Sequence, residues 1–258
     1  MFKKLESKVS QLKFLEILTI LLVIWSVYQL FIFINIFSGD AEIHLIFAKN
    51  FVNGHFLEFN PGYKTGGESS FLYFLIISIL YKLFGIYSAY GMKIISLFSY
   101  LWIAYLIYDI NPSKNIYYRI LGACLITCVA KFTYHGVLGM ENIFFSAFLL
   151  TLISKEIKSN FNYQNKNIII KSILLFLLRP EAIFYPFFLS IKSLYTKNKE
   201  LLIRSILSII LCFITYKFLS FLSGGDFHNA GKIRTYLSSL STENASNINI
   251  LGYQIYFY

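Results

Sequence analysis

Positions 17–39 contain no charged residue, and as a helix the run is long enough to cross a hydrocarbon layer of about 30 Å. Lys3, Lys4, Lys8 and Lys13 precede it, against Glu6 and Glu16. The run has no small-residue cleavage site and exceeds a signal-peptide core, so it predicts a retained first helix with its N-terminus inside. Apolar segments at 70–87, 92–108, 120–134, 143–154, 168–191 and 201–222 predict six further crossings. Parity then puts the loops 38–69 and 223–249 on one face, the outer one.

The segment 168–191 departs from this pattern. The connection 155–171 before it holds four lysines and one glutamate, and Lys192, Lys197, Lys199 and Arg204 flank its other end. Arg179-Pro180-Glu181 and Pro186 interrupt it. Proline disrupts a helix interior, and broken backbone at membrane depth lines a cavity or packs on protein. The expectation is a broken or re-entrant hairpin.

The loop 38–69 is too long for a plain connector. Ile43, Leu45, Ile46, Phe47, Phe51 and Val52 share one side of a helical projection, with Lys49 and Asn50 opposite, which predicts a surface helix over 41–52. Asn60-Pro61-Gly62 predicts a turn, and Gly66-Gly67 a second flexible point. The fold class expected is all-α: a single polytopic helical membrane domain over 1–258.

Composition agrees. Of 258 residues, 57% are hydrophobic and 14% charged, against about 25% charged in soluble domains. That excludes an ordinary soluble enzyme, a disordered chain and a disulfide-built secreted domain. The net charge of +10 points to basic loops retained in the cytoplasm beside anionic lipid, not to nucleic acid. Cys124, Cys128 and Cys212 all lie in apolar runs, where packing is the expected role.

Acidic residues are scarce, so their positions are informative. Asp40 directly follows the first span, where partial desolvation would raise its basicity; capping a helix that starts at Ala41 is an equal reading. Arg179 and Glu181 lie inside an apolar segment, where a charge needs a partner or a wet cavity. Glu141, in Gly139-Met140-Glu141, opens another apolar segment and suits a helix N-terminus. The stretch from Ser223 to Arg234 is a Gly-rich loop with Asp226, His228, Lys232 and Arg234, able to approach a phosphate but lacking a Walker arrangement. His44 stands one helical turn from Asp40 and could share its face, but a satisfied interfacial histidine is the commoner outcome. No histidine spacing suggests a metal.

The ordered set resembles the GT-C superfamily of membrane glycosyltransferases that use polyprenyl-phosphate sugars, especially arabinofuranosyltransferase-like and mannosyltransferase-like members. The resemblance rests on Gly39-Asp40-Ala41-Glu42, Gly54-His55, Phe59-Asn60-Pro61-Gly62, Gly67-Glu68-Ser69, Gly139-Met140-Glu141, Arg179-Pro180-Glu181 and Gly224-Gly225-Asp226-Phe227 with Gly231-Lys232. Where the family carries an acidic pair, this chain has Gly39-Asp40, with Glu42 the nearest substitute.

The resemblance implies an inverting transfer of a sugar from a polyprenyl-phosphate donor to a glycan, lipid or protein acceptor. The reaction would lie at the outer face of a bacterial inner membrane. Asp40 would be the general base. Arg179, Lys232 and Arg234 would stabilise the departing phosphate, while Glu42, Glu68, Glu141, Glu181, Asp226 and His228 would contact or orient the substrate. It implies no cofactor and no protein-held metal, a divalent cation being compatible with the chemistry. Family members carry further spans, so the chain is expected to lack their C-terminal part. The alternatives are a non-catalytic partner of a larger glycosyltransferase and a transporter or flippase of a lipid-linked sugar.

Overall fold

Leu, Ile and Phe fill the apolar runs and almost nothing in them breaks a helix, so helices dominate. The computed structural model describes residues 2–37, 39–64, 68–159 and 167–223. The first half comprises α1 (Phe2–Phe33), α2 (Gly39–Val52), a ribbon of β1 (Glu58–Asn60) and β2 (Tyr63–Lys64), α3 (Phe71–Phe84) and α4 (Ser88–Ile110). The second comprises α5 (Ile116–Thr127), α6 (Ala130–Val137), α7 (Glu141–Lys158), α8 (Ile168–Leu178), α9 (Phe184–Tyr195) and α10 (Lys199–Leu222).

Among the described residues, three helical stretches are long and apolar enough to cross a membrane: Glu16–Phe33, Phe71–Ile110 and Lys199–Leu222. The pair α5–α6, bent by 75°, makes a fourth if it counts as one span. The second stretch doubles back at Gly85, whose φ of 57° and ψ of −134° end α3. Tyr73 donates its hydroxyl to the Gly139 carbonyl at 2.7 Å, while Ser96 donates to the adjacent Met140 carbonyl at 3.3 Å. In a straight helix, Tyr73 and Ser96 would lie about 34 Å apart. The other apolar runs are shorter or more charged: α8 has 11 residues, and α7 carries Glu141, Lys155, Glu156 and Lys158.

The bend between α5 and α6 frees backbone groups that lipid cannot satisfy. Tyr100 and Thr133 hydroxyls both donate to the Thr127 carbonyl, at 3.0 and 2.7 Å, and the Trp25 indole donates to Cys128 at 3.3 Å. Gln29 and Ser26 of α1 complete this buried polar group.

At Arg179 the backbone turns extended, ending α8, and Pro180–Ile183 forms a 3-10 turn before α9. Pro186 does not make a second break. It is the third residue of α9, where a helix N–H has no internal partner to lose. On α10, Ser205 accepts from Ser190 of α9, and Cys212 reaches the Ser172 carbonyl of α8. Those α10 positions are about 10 Å apart along the axis, so α10 packs on both arms of the broken segment.

Three local expectations change. The ribbon was not foreseen in an all-α chain; Pro61-Gly62 turns the backbone, with Gly62 at φ +91°, so that β1 and β2 pair. Asn50 is buried, not solvent-facing, because its amide donates to the Glu58 and Phe59 carbonyls and ties the ribbon to α2. The helix α2 begins at Gly39, so Asp40 sits within its first turn and does not precede it.

Candidate functional site

Four segments distant in sequence meet where α2, the start of α3, the start of α7 and the end of α8 pack together. The apolar part of this junction is Ala41, Ala48, Tyr73, Ile77, Met92, Leu138, Met140 and Leu178. Ala41 and Ala48 bring α2 close to α3 because their side chains take little room. Each segment also contributes a polar group.

His44 of α2 is the centre. Its Nδ1 lies 2.8 Å from Glu68 Oε2 and its Nε2 2.9 Å from Glu141 Oε2. The three residues are 5%, 1% and 3% exposed. A neutral imidazole would point a lone pair at one of the carboxylates, whereas the doubly protonated ring donates to both. Burial works against that charge, but the Coulombic pull of Glu68 and the hydrogen bonds to both carboxylates outweigh it, raising the His44 pKa to about 10. Glu141 shifts the other way. Burial opposes its ionisation, yet the His44 bond and the charges of His44 and Arg179 hold it below the usual carboxylate range.

Around this core, Glu68 Oε1 accepts the Ser70 backbone N–H at 2.8 Å, and the Ser70 hydroxyl donates to the Leu178 carbonyl. Ser70 thereby ties the start of α3 to the end of α8. Arg179 extends the chain of charges: Nη1 lies 3.4 Å from Glu141 Oε1 and also donates to Asn142 Oδ1, and Nε lies 3.5 Å from Glu181 Oε2. Arg179 is half-buried and Glu181 exposed, so the network runs from a dry interior to an open edge. The order is Glu68, His44, Glu141, Arg179, Glu181, with alternating sign.

Gly139 shapes the junction. Its φ of +79° is open to glycine, and its carbonyl takes the Tyr73 hydroxyl. A Cβ there would meet the Phe37 ring at 3.0 Å and Met92 at 3.3 Å. Gly139→Ala is therefore expected to lower stability by about 1–3 kcal/mol, from left-handed strain plus crowding. The thermal midpoint in detergent measures this; an unchanged midpoint would show that the turn relaxes freely.

The structure brings together Glu68, Glu141, Arg179 and Glu181 from the sequence-predicted set. Asp40 lies one turn before His44 on α2, about 6 Å along the axis, and is half-buried. Glu42 is exposed. Asp226, His228, Lys232 and Arg234, with the loop 223–249 beyond Ser223, lie outside the described residues. His44 emerges with both nitrogens satisfied and is the organiser of the group. Asn142, Ser70 and Tyr73 carried no sequence signal of their roles, which depend on long-range packing.

The imidazole lies between its carboxylates and donates to each, so these three side chains do not share a point facing one ion. Among the described residues no group of three or more His, Cys, Asp or Glu is arranged to hold a metal. No protein-family model, curated protein or solved structure matches this chain.

Proposed function

We propose that the chain is an integral-membrane glycosyltransferase of the GT-C type, moving a sugar from a polyprenyl phosphate to an acceptor hydroxyl at the outer face. The observation that carries this reading is the meeting of Glu68-Ser69, Gly139-Met140-Glu141 and Arg179-Pro180-Glu181 around the helix bearing Asp40. Motifs about 70 and 40 residues apart in sequence share one hydrogen-bonded network. Packing alone has no need of five charges in alternation, since apolar residues fill such space without desolvation cost. Glu141 and Arg179 also sit at the ends of α7 and α8 remote from Lys158 and Lys171.

In this reading Asp40 takes the proton of the acceptor hydroxyl, the oxygen attacks the anomeric carbon with inversion, and polyprenyl phosphate departs. Arg179 faces the developing phosphate charge from the open edge of the network, where a fixed cation contributes most in the transition state. Lys232 and Arg234 are assigned the same task, with Asp226, His228 and Glu42 orienting the substrate. Glu68 and Glu141 have their oxygens committed to His44, Ser70 and Arg179. Their role is to position α2 and Arg179, not to touch the sugar.

The test is sugar transfer in membranes supplied with labelled polyprenyl-phosphate sugars. Asp40→Asn is expected to lower the rate by about 10²–10⁴, the usual share of general-base catalysis. Transfer that survives intact in Asp40→Asn would remove the assigned base.

A further inference from the structure

The polar contacts between helices sort the charged residues by end. Lys158 pairs with Asp109 and Lys192 with Glu156, which brings the last turns of α4, α7 and α9 to one end. Arg179, just past the end of α8, meets Glu141, at the start of α7, so α8 starts on the Lys158 side, and α10 begins only three residues after the last turn of α9. The Arg119 guanidinium stacks on Tyr108 and donates to its carbonyl, adding the start of α5. Tyr117 lies close enough to Glu16 for the two to interact electrostatically, adding α1.

This end is strongly unbalanced. Lys114 and Arg119 lie near the start of α5, Lys155 and Lys158 near the end of α7, and Lys171 in the first turn of α8. Lys192, Lys197, Lys199 and Arg204 follow around the α9–α10 turn. That is nine cations against four carboxylates: Glu16, Asp109, Glu156 and Glu200. The rest of the described chain from residue 16 onward carries seven cations and six carboxylates. A structural ring of ion pairs would bring matched numbers; this end has an excess of five. Long apolar helices, exposed along their sides, leave from it.

We propose that this end docks on the anionic headgroups of the cytoplasmic leaflet, and that α8–α9 is a re-entrant hairpin entering the membrane from it and returning to it. The helix α8 rises about 16 Å from the basic end to Arg179, roughly half the thickness of a hydrocarbon core. The chain reverses at Arg179–Ile183, and α9 brings it back to Lys192. The excess cations meet lipid phosphates, each surface lysine or arginine favouring an anionic over a neutral headgroup. The same placement explains basic flanks on both sides of one apolar segment, which simple crossings would split between two faces. The proposal concerns lipid and orientation only, so it stands or falls independently of sugar transfer.

The test uses the full chain reconstituted with spin-labelled phosphatidylglycerol or phosphatidylcholine, reading the fraction of each lipid held at the protein. The expected result is at least an approximately threefold preference for phosphatidylglycerol at low salt, collapsing toward one at 0.5 M NaCl, where the screening length is only about 4 Å. Substituting Lys155, Lys171, Lys197 and Lys199 by Gln is expected to halve the preference or more. Equal retention of the two lipids by the unaltered chain, or a preference indifferent to salt, would overturn the docking. For the hairpin, Lys114→Cys and Lys197→Cys are each labelled with a membrane-impermeant maleimide in cells and in inverted vesicles. Both are expected to react only in inverted vesicles. Labelling of the two from opposite sides would overturn the re-entrant path.

Discussion

His44→Ala is expected to be the most destabilising single substitution in this chain. It removes the only cation among the described residues that touches both Glu68 and Glu141, and leaves two buried carboxylates facing one another. Breaking a buried ion pair from one side costs about 3–5 kcal/mol, which is about 6–20 °C in thermal midpoint for a chain of this size. Arg179 cannot compensate, because it contacts Glu141 alone of the two. The double variant His44→Ala, Glu68→Gln should regain part of the loss, since Glu141 then keeps Arg179 and no carboxylate is left unbalanced. A His44→Ala midpoint within about 1 °C of the unaltered chain would show that the network contributes nothing to the fold.

The same group sets a pH signature. The His44 pKa is raised in the folded chain, from 6.5 to about 10. Its contribution to stability is therefore complete below pH 6.5 and declines as pH rises toward 10. Glu141 is depressed from its ordinary 4.5, so its contribution is complete above that value and is lost as pH falls through its lower folded value. Stability should hold a plateau from about pH 4.5 to 6.5 and fall on both sides. In His44→Ala the alkaline decline should flatten, as unfolding followed by circular dichroism across pH 6–10 would show.

After Asp40→Asn, Arg179→Lys carries the next largest expected effect on chemistry. Lysine keeps the positive charge near Glu141, so the fold should hold. It cannot reproduce the guanidinium fork that meets Glu141 and Asn142 through one nitrogen and Glu181 through another. A misdirected cation at the departing phosphate should lower kcat by about 10²–10³, the scale for one lost charge-stabilising donor. The thermal midpoint and KM should move little, which separates this effect from unfolding or lost binding. A kcat within about threefold of the unaltered enzyme would take Arg179 out of the reaction.

Much of this arrangement was legible in the sequence because charge is scarce in an apolar chain. Glu141, Arg179 and Glu181 drew notice because each interrupts or opens an apolar run, and all three join one network. The break at Arg179-Pro180-Glu181 was equally plain, since proline and two charges act together there. Pro186 misled because position within a helix decides what a proline disrupts, and the first turn tolerates it. The centrality of His44 was hidden: its two partners lie 24 and 97 residues away, and only packing of α2 on α3 and α7 reveals them. Asn50 was misplaced for a similar reason, its amide answering to carbonyls of a ribbon that apolar periodicity does not announce. The reversal at Gly85 falls inside the run 70–87, two residues before its end, so the runs 70–87 and 92–108 were separated close to where the chain turns but not at the glycine itself.

Sugar transfer is tested most directly by acceptor-dependent release of polyprenyl phosphate. The full chain, reconstituted alone in liposomes, is given a polyprenyl-phosphate sugar and a candidate acceptor glycan, and the freed lipid phosphate is counted. The expected result is release above protein-free liposomes only when both substrates are present, with an equal amount of sugar appearing on the acceptor. No release above the protein-free level across a panel of donors and acceptors, from protein that still shows the pH plateau of the His44 network, would contradict it.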